Sequence, residues 1–229
     1  MIEVKNVKKR YLTKTAIEHI TVNIPKGGIT GLVGENGSGK STFLKILAGL
    51  VRPTKGTVLV DGNVVSRRLA DRIAYLSEQD TFYSFYRVKE LVAFYETQFR
   101  DFNKERAEEL ISFMKLDLNS KIKTLSKGNR GRLKIVLTLA RDAPVLLLDE
   151  PLSGLDPMVR DSIVKSLISF IDLERQTVLI TTHEINEMEP LFDRVIAIKN
   201  GQILGMADSE EIRDQEGLTI VDWMKKKYE

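Results

Sequence analysis

Residues 34–42 read Gly34-Glu35-Asn36-Gly37-Ser38-Gly39-Lys40-Ser41-Thr42, which satisfies G-x-x-x-x-G-K-[ST]. Glycines let a backbone close around an anion, and the N–H groups at a helix start point at it. The motif therefore demands a strand before it and a helix after it. Ile29 to Val33 reads as the strand, and Phe43, Ile46, Leu47 and Leu50 recur at helical spacing. The loop Gly34, Asn36, Gly37, Ser38, Gly39 and Thr42 is expected to cradle the phosphates of a nucleoside triphosphate. Lys40 then reaches the β- and γ-phosphates, and Ser41 holds Mg²⁺.

Composition narrows the setting. The 229 residues carry 35 Lys+Arg against 32 Asp+Glu, a net charge of +3. That balance is too small to argue for a nucleic-acid partner, and none is expected. There is no cysteine, so disulfides and cysteine metal sites are excluded. Met1 to Lys5 lacks the apolar core of a signal peptide, and no apolar run approaches the roughly 20 residues of a membrane span. The chain is expected to be cytoplasmic, with any membrane role reached through a partner.

In chain order, Ile2, Val4 and Val7 begin a strand region, and Ile20, Val22 and Ile24 alternate with polar residues as a half-buried strand. These strands are expected to form an antiparallel sheet ahead of the phosphate loop. Tyr11, between them, either stacks on a base or caps a strand at the surface. His19 is read as structural. Thr57 to Val60 is a strand, and Asp61-Gly62 signals a hairpin. Ile73 to Leu76 is another strand. Phe82, Tyr83, Phe85 and Tyr86 follow as either a partner-binding surface or a satellite core. Residues 88–114 have helical periodicity, broken near Asn103, a candidate N-cap. A further helix carries Leu133, Leu137 and Ala140 on one face, with Arg130, Arg132 and Lys134 as a solvated flank.

Val145 to Leu148 is a fully apolar run ending in Asp149-Glu150. Such a run suits a strand buried on both faces, as in a parallel sheet, whose carboxyl end carries the ligand site. Two adjacent carboxylates there are costly without a cation. Asp149 is expected to partner Mg²⁺, and Glu150 to orient or deprotonate water. Pro151 to Pro157 is a tight loop leading to a helix. Val178 to Thr181 is a second buried strand, followed by His183, which either touches a phosphate or is structural. Asn200-Gly201 reads as a type I′ hairpin, Ser209 as a helix cap, and Lys225 to Lys227 as a solvated tail.

Across essentially its whole length the chain resembles the ATP-binding subunits of ABC transporters. Gly34 to Thr42 is similar to the Walker A loop, and Leu146 to Glu150 to Walker B with its glutamate. Ser153-Gly154-Leu155-Asp156 resembles the D-loop. Leu125-Ser126-Lys127-Gly128-Asn129 stands in place of the Leu-Ser-Gly-Gly-Gln signature. The resemblance makes Tyr11 the aromatic that stacks on adenine and His183 the switch histidine on the γ-phosphate. In the Q-loop, Glu78 takes the glutamine register with Gln79 next, and either one is left to meet Mg²⁺ or water. Lys127 adds positive charge toward an anion.

The implied fold is α/β: a P-loop ATPase core with a mixed sheet, an antiparallel β-subdomain and an inserted α-helical subdomain near 85–140. Residues 1–229 form a single ABC ATPase domain, with a helical tail over 208–229. The implied activity is ATP hydrolysis with Mg²⁺ in a head-to-tail dimer, of identical or different ATPase subunits. Each ATP is held between one subunit's loop and Ser126 and Gly128 of the other, and Asp156 of the D-loop is a further nucleotide-binding residue. A separate transmembrane permease is the implied partner, placing the chain peripherally at the inner face of the membrane. The variant signature and Glu78 are similar to export-type systems. The rival reading is a permease-free ABC ATPase acting on ribosomes or DNA. One domain and no long heptad run argue against it.

Overall fold

A computed structural model describes residues 1–80 and 82–228. Strands β1 (Ile2–Tyr11) and β2 (Lys14–Ile24) open the chain as an antiparallel pair. Next come β3 (Ile29–Val33), α1 (Lys40–Leu47), β4 (Lys55–Val60), β5 (Asn63–Val64) and β6 (Ile73–Leu76). The helical stretch is α2 (Val88–Gln98), α3 (Lys104–Phe113) and α4 (Lys127–Leu139). The second half runs β7 (Val145–Asp149), α5 (Pro157–Phe170), β8 (Thr177–Thr182), α6 (Ile185–Met188), β9 (Arg194–Lys199) and β10 (Gln202–Asp208). Helices α7 (Ser209–Asp214) and α8 (Ile220–Tyr228) close it.

Two sheets result. One is antiparallel, in the order β2-β1-β4-β5; the other follows β10-β9-β3-β8-β7-β6, parallel except for β10. Strand β8 lies between β3 and β7 and aligns Val33 with Thr182, and Asp149 with Thr181. Both faces of this second sheet are covered, which is why its strands are apolar throughout. Leu146 and Leu148 join the core on the side of α2 to α5. Val145 and Leu147 join the opposite core, with Phe43, Ile46 and the antiparallel sheet.

Strand β1 is longer than its apolar pattern indicates. Residues 5–10 are mostly basic or polar, yet they pair with β2 and β4 on either side. The irregular register near Val7 coincides with positive φ at Asn6 and His19 (49° and 51°), and the His19 ring sits 2.6 Å from Asn6 Oδ1. His19 thus stabilises a bulge. Both expected hairpins form: Asp61-Gly62 and Asn200-Gly201 each have two positive φ angles, as a type I′ turn requires. Asn103 caps α3, accepting from the Arg106 amide at 2.9 Å.

Two expectations, on Leu50 and Ser209, are corrected here. Leu50 falls after Gly49, whose φ of 70° ends the turn beyond α1, and it is exposed. Asp208 occupies the cap position of α7, and Ser209 is the first helical residue. The aromatic loop divides: Phe82 and Tyr86 rest on the helical core, while Tyr83 and Phe85 are exposed, Phe85 by 71%. The three tail lysines lie on α8, where Lys225 pairs with Asp222 and Lys226 with Glu216.

Candidate nucleotide site

The phosphate loop crosses from β3 to α1 at the carboxyl edge of the parallel strands. Two glycines are demanded by geometry. A Cβ on Gly34 would overlap the Ile198 carbonyl, and Gly39, at φ 111°, lies 2.6 Å from the Ala16 carbonyl at its Cβ position. Gly39 is also the residue that enters α1, so the loop can turn tightly and present helix-start amides.

Lys40 is only 5% exposed. Its Nζ donates to the carbonyls of Gly34 (2.8 Å) and Glu35 (3.2 Å) and lies 3.4 Å from Glu150 Oε1. Ser41 Oγ donates to Asp149 Oδ1 at 2.9 Å. Asp149 is 1% exposed and accepts two further bonds at 2.9 Å, from Thr181 Oγ1 and from the Tyr75 hydroxyl. Burial, then the Asp149 charge, pushes the Tyr75 phenol well above its usual range, so it stays a donor. These are oxygen ligands beside a phosphate loop, a donor set that suits a hard divalent cation such as Mg²⁺.

Glu150 follows with φ 49°, a left-handed backbone uncommon outside glycine. Its amide donates to the Thr181 hydroxyl at 2.9 Å and the Thr181 carbonyl at 3.1 Å, fixing that turn. Its Oε2 accepts from the His183 amide at 3.2 Å and lies 2.8 Å from His183 Nδ1. A carboxylate only accepts, so Nδ1 carries the proton in this pair. Glu150 therefore spans Lys40 on one side and His183 on the other.

A cavity of about 580 Å³ opens over these groups, within the size range of small-molecule sites. Tyr11, Lys14, Asn36, Gly37, Gly39, Lys40, Ser41, Thr42, Glu78, Glu150, Ser153 and His183 line it. Gly34 and Ser38 lie behind the loop against the fold, with the Ser38 hydroxyl buried and unpartnered. Asp149 sits beneath, reached through Ser41. Glu78 faces this cavity, whereas Gln79 lines a different one with Lys45, Tyr75 and Tyr95.

Ser126, Gly128 and Asp156 do not line the nucleotide cavity. Ser126 caps α4, accepting from the Asn129 amide at 3.2 Å, and Asp156 caps α5, accepting from the Val159 amide at 3.1 Å. Gly128 fits against Val159 and Asp156; a Cβ there would lie 2.9 Å from Val159 Cγ2. These three form a separate cluster.

Two readings of the cations change. Arg130, Arg132 and Lys134 are not a free solvated flank. Arg130 pairs with Asp80 at 2.7 Å, Arg132 reaches Ser162 at 3.3 Å, and Lys134 donates to the Ser77 and Glu78 carbonyls at 3.0 and 2.7 Å. Burial lowers the Lys134 ammonium below its usual range. Arg130 and Lys134 tie residues 77–80 to α4. The Lys127 amine lies against Gly154 of its own chain, and lines a smaller cavity of about 280 Å³ with Glu78, Glu150 and Ser153. Sequence reasoning missed Thr181, Tyr75 and Lys14. Only Thr181 left a signal, as a polar residue inside a buried strand.

Residues 17–153 match the ABC transporter family profile, a segment that includes the phosphate loop, Ser126, Gly128 and the Asp149-Glu150 pair. The chain belongs to the ABC transporter family. It is an ATP-binding and ATP-hydrolysing subunit of that family, and it has the family's P-loop ATPase fold. The petrobactin import ATP-binding protein YclP of Bacillus subtilis is 32% identical to this ABC ATPase, over 93% of this chain and 88% of YclP. The lantibiotic transport ATP-binding protein SrtF of Streptococcus pyogenes is 33% identical, over 89% of each chain. The ATP-binding cassette MJ0796, solved as a dimer in a post-hydrolysis state with ADP and Pi, superposes with a TM-score of 0.80 at 26% identity. That match covers 91% of this chain and 99% of MJ0796. No helix among the described residues is long and apolar enough to cross a membrane.

Proposed function

We propose that this ABC ATPase works as one half of a head-to-tail ATPase dimer that drives a separate membrane permease, exporting its substrate. One observation carries the dimer: the nucleotide cavity holds Tyr11, Lys40, Glu150 and His183 but not Ser126, Gly128 or Asp156. A second subunit, identical or different, brings those three to the phosphates from the opposite side. The MJ0796 cassette, solved as a dimer, supports a second ATPase subunit.

In this reading Tyr11 stacks on adenine, and the loop from Gly34 to Thr42 supplies amides to the phosphates. Lys40 turns from the Gly34 and Glu35 carbonyls to the β- and γ-oxygens. Ser41 and Asp149 are the residues that would hold Mg²⁺, with Glu78 facing the same cavity. Mg²⁺, when bound, neutralises charge on the phosphate oxygens. Glu150 orients the attacking water and takes its proton, and His183 holds the γ-phosphate while its Nδ1 keeps Glu150 in place. Preorganised cations and amides stabilise the transferring phosphoryl group.

A helical subdomain over about 85–140 within one ABC ATPase domain spanning 1–229, ending in a tail from 208, carries closure outward to the permease. The exposed pair Tyr83 and Phe85 is the contact we assign to it. Docking there places the chain at the inner face of the membrane. The variant signature Leu125–Asn129 and Glu78 in the cavity support export. The petrobactin import relative supports the opposite direction. Transport assays on vesicles of both orientations, with the chain and its permease, distinguish the two.

If half of each site comes from another copy, ATP turnover per subunit falls on dilution below the dimer range. A rate that stays flat on dilution counts against the composite site. Glu78 and Gln79 give a second test. Glu78→Ala is expected to slow turnover by about tenfold or more, as for loss of a group that positions water or metal, and Gln79→Ala by far less. The reverse order would move the role to Gln79.

A further inference from the structure

The turn that carries His183 is held by a side chain from a different element. Arg160 lies in the first turns of α5, four residues after the capping Asp156. Its Nε donates to the Leu155 carbonyl at 2.8 Å. Its Nη2 donates to Glu184 Oε1 at 2.6 Å, and its Nη1 to Glu187 Oε1 at 2.5 Å. One guanidinium thus joins the loop 153–156 to the residue directly after His183 and to α6.

Three features make this more than a surface ion pair. First, the guanidinium uses its Nε and both Nη groups in three directions, which a single ammonium cannot reproduce. Second, Glu184 Oε2 is buried and has no partner among the described residues. A carboxylate so placed is costly unless a cation compensates it, and Arg160 is that cation. Third, the two segments it joins border the nucleotide cavity through Ser153 and His183, while Arg160 itself does not line it. Contact with substrate therefore does not explain it.

We propose that Arg160 is a positioning residue that couples the loop 153–156 to the orientation of His183. A shift in the loop moves the Leu155 carbonyl, hence the guanidinium, hence Glu184 and the neighbouring His183–Glu150 pair. The coupling deepens the reading in which His183 and Glu150 serve hydrolysis, and it rests on that reading.

The test removes the clamp without leaving Glu184 charged and unpaired; Glu187, which also loses its cation, is exposed to solvent. The double variant Arg160→Met/Glu184→Gln deletes the cation and neutralises its half-buried partner together. It is expected to keep its thermal midpoint close to that of the wild type. Its kcat for ATP falls about tenfold to a hundredfold, the scale of a misplaced catalytic group, while KM stays within about threefold. Arg160→Lys is expected not to restore kcat. In a His183→Ala background, followed by single-turnover ATP consumption, the same pair of substitutions adds no further loss, because it acts through that ring. Wild-type kcat in the double variant overturns the coupling. So does an equal loss when His183 is already absent, or a kcat loss that only tracks a lowered thermal midpoint. If His183→Ala alone turns over ATP at the wild-type rate, the reading of His183 fails first, and the coupling falls with it.

Discussion

Glu150→Gln is expected to bind ATP, to stop turning it over and to run on size exclusion as a dimer that persists only while ATP is present. The amide keeps the volume of the carboxylate and can still accept from the His183 amide and from Nδ1, now 3.2 and 2.8 Å from Glu150 Oε2. In the proposed role, what is lost is the basic oxygen that takes a proton from water. General-base catalysis contributes about 10²- to 10⁴-fold, so turnover should fall by at least that range while affinity for ATP is retained. Neutralising the charge also removes a repulsion between this side chain and the γ-phosphate, which favours the loaded dimer. Turnover at the wild-type rate would falsify the assignment of Glu150 as the water-activating residue.

Lys40→Ala is expected to abolish ATP binding at concentrations that saturate the wild type. Hydrogen bonds to charged groups contribute about 1.5–3 kcal/mol each, and Lys40 can make more than one to the triphosphate. Losing two of them lowers affinity by about a hundredfold to over ten-thousandfold, which a fluorescence or calorimetric titration resolves. The variant should also be less stable without nucleotide. Glu150, 8% exposed, loses its cation neighbour, and the Gly34 and Glu35 carbonyls lose a donor. Unchanged affinity in the titration would sink the phosphate role for Lys40.

The parts of the fold that could be read from the sequence are those where local pattern and final environment agree. Ile29–Val33, Ile73–Leu76 and Val145–Asp149 are short apolar runs bounded by loops, and each became a strand of the parallel sheet. The two type I′ turns and the Asn103 cap were legible because their residue types are demanded by backbone geometry. By contrast, Lys5 to Arg10 carries no strand pattern; its order comes from pairing on both sides, which no local signal encodes. The placement of residues 34–39 between β3 and α1, and of Asp149 at the end of β7, was legible for the same reason as the turns. The Tyr75 and Thr181 bonds to Asp149 were not. They exist because β6 and β8 flank β7 in a given register, a long-range property. Lys134 misled because its helical position suggests solvent, while the loop 77–80 folds over it and supplies carbonyls.

Strand β8 has a consequence for how such a chain can diverge. Ser41 and Asp149 are 108 residues apart along the chain, yet their oxygens meet at 2.9 Å. That approach is set by lateral strand spacing, with β8 as the single strand between β3 and β7, giving about 10 Å from strand to strand. Of the intervening segment, Tyr75 on β6 bonds to Asp149, while α2 to α4 make no hydrogen bond to Ser41 or Asp149 among the described residues. The length and composition of α2 and α3 can drift through insertion, deletion or exchange of helices without altering these two oxygens. A drift of one residue in the pairing of β8 would displace them all at once. Partner choice and chemistry can therefore evolve at different rates within one polypeptide.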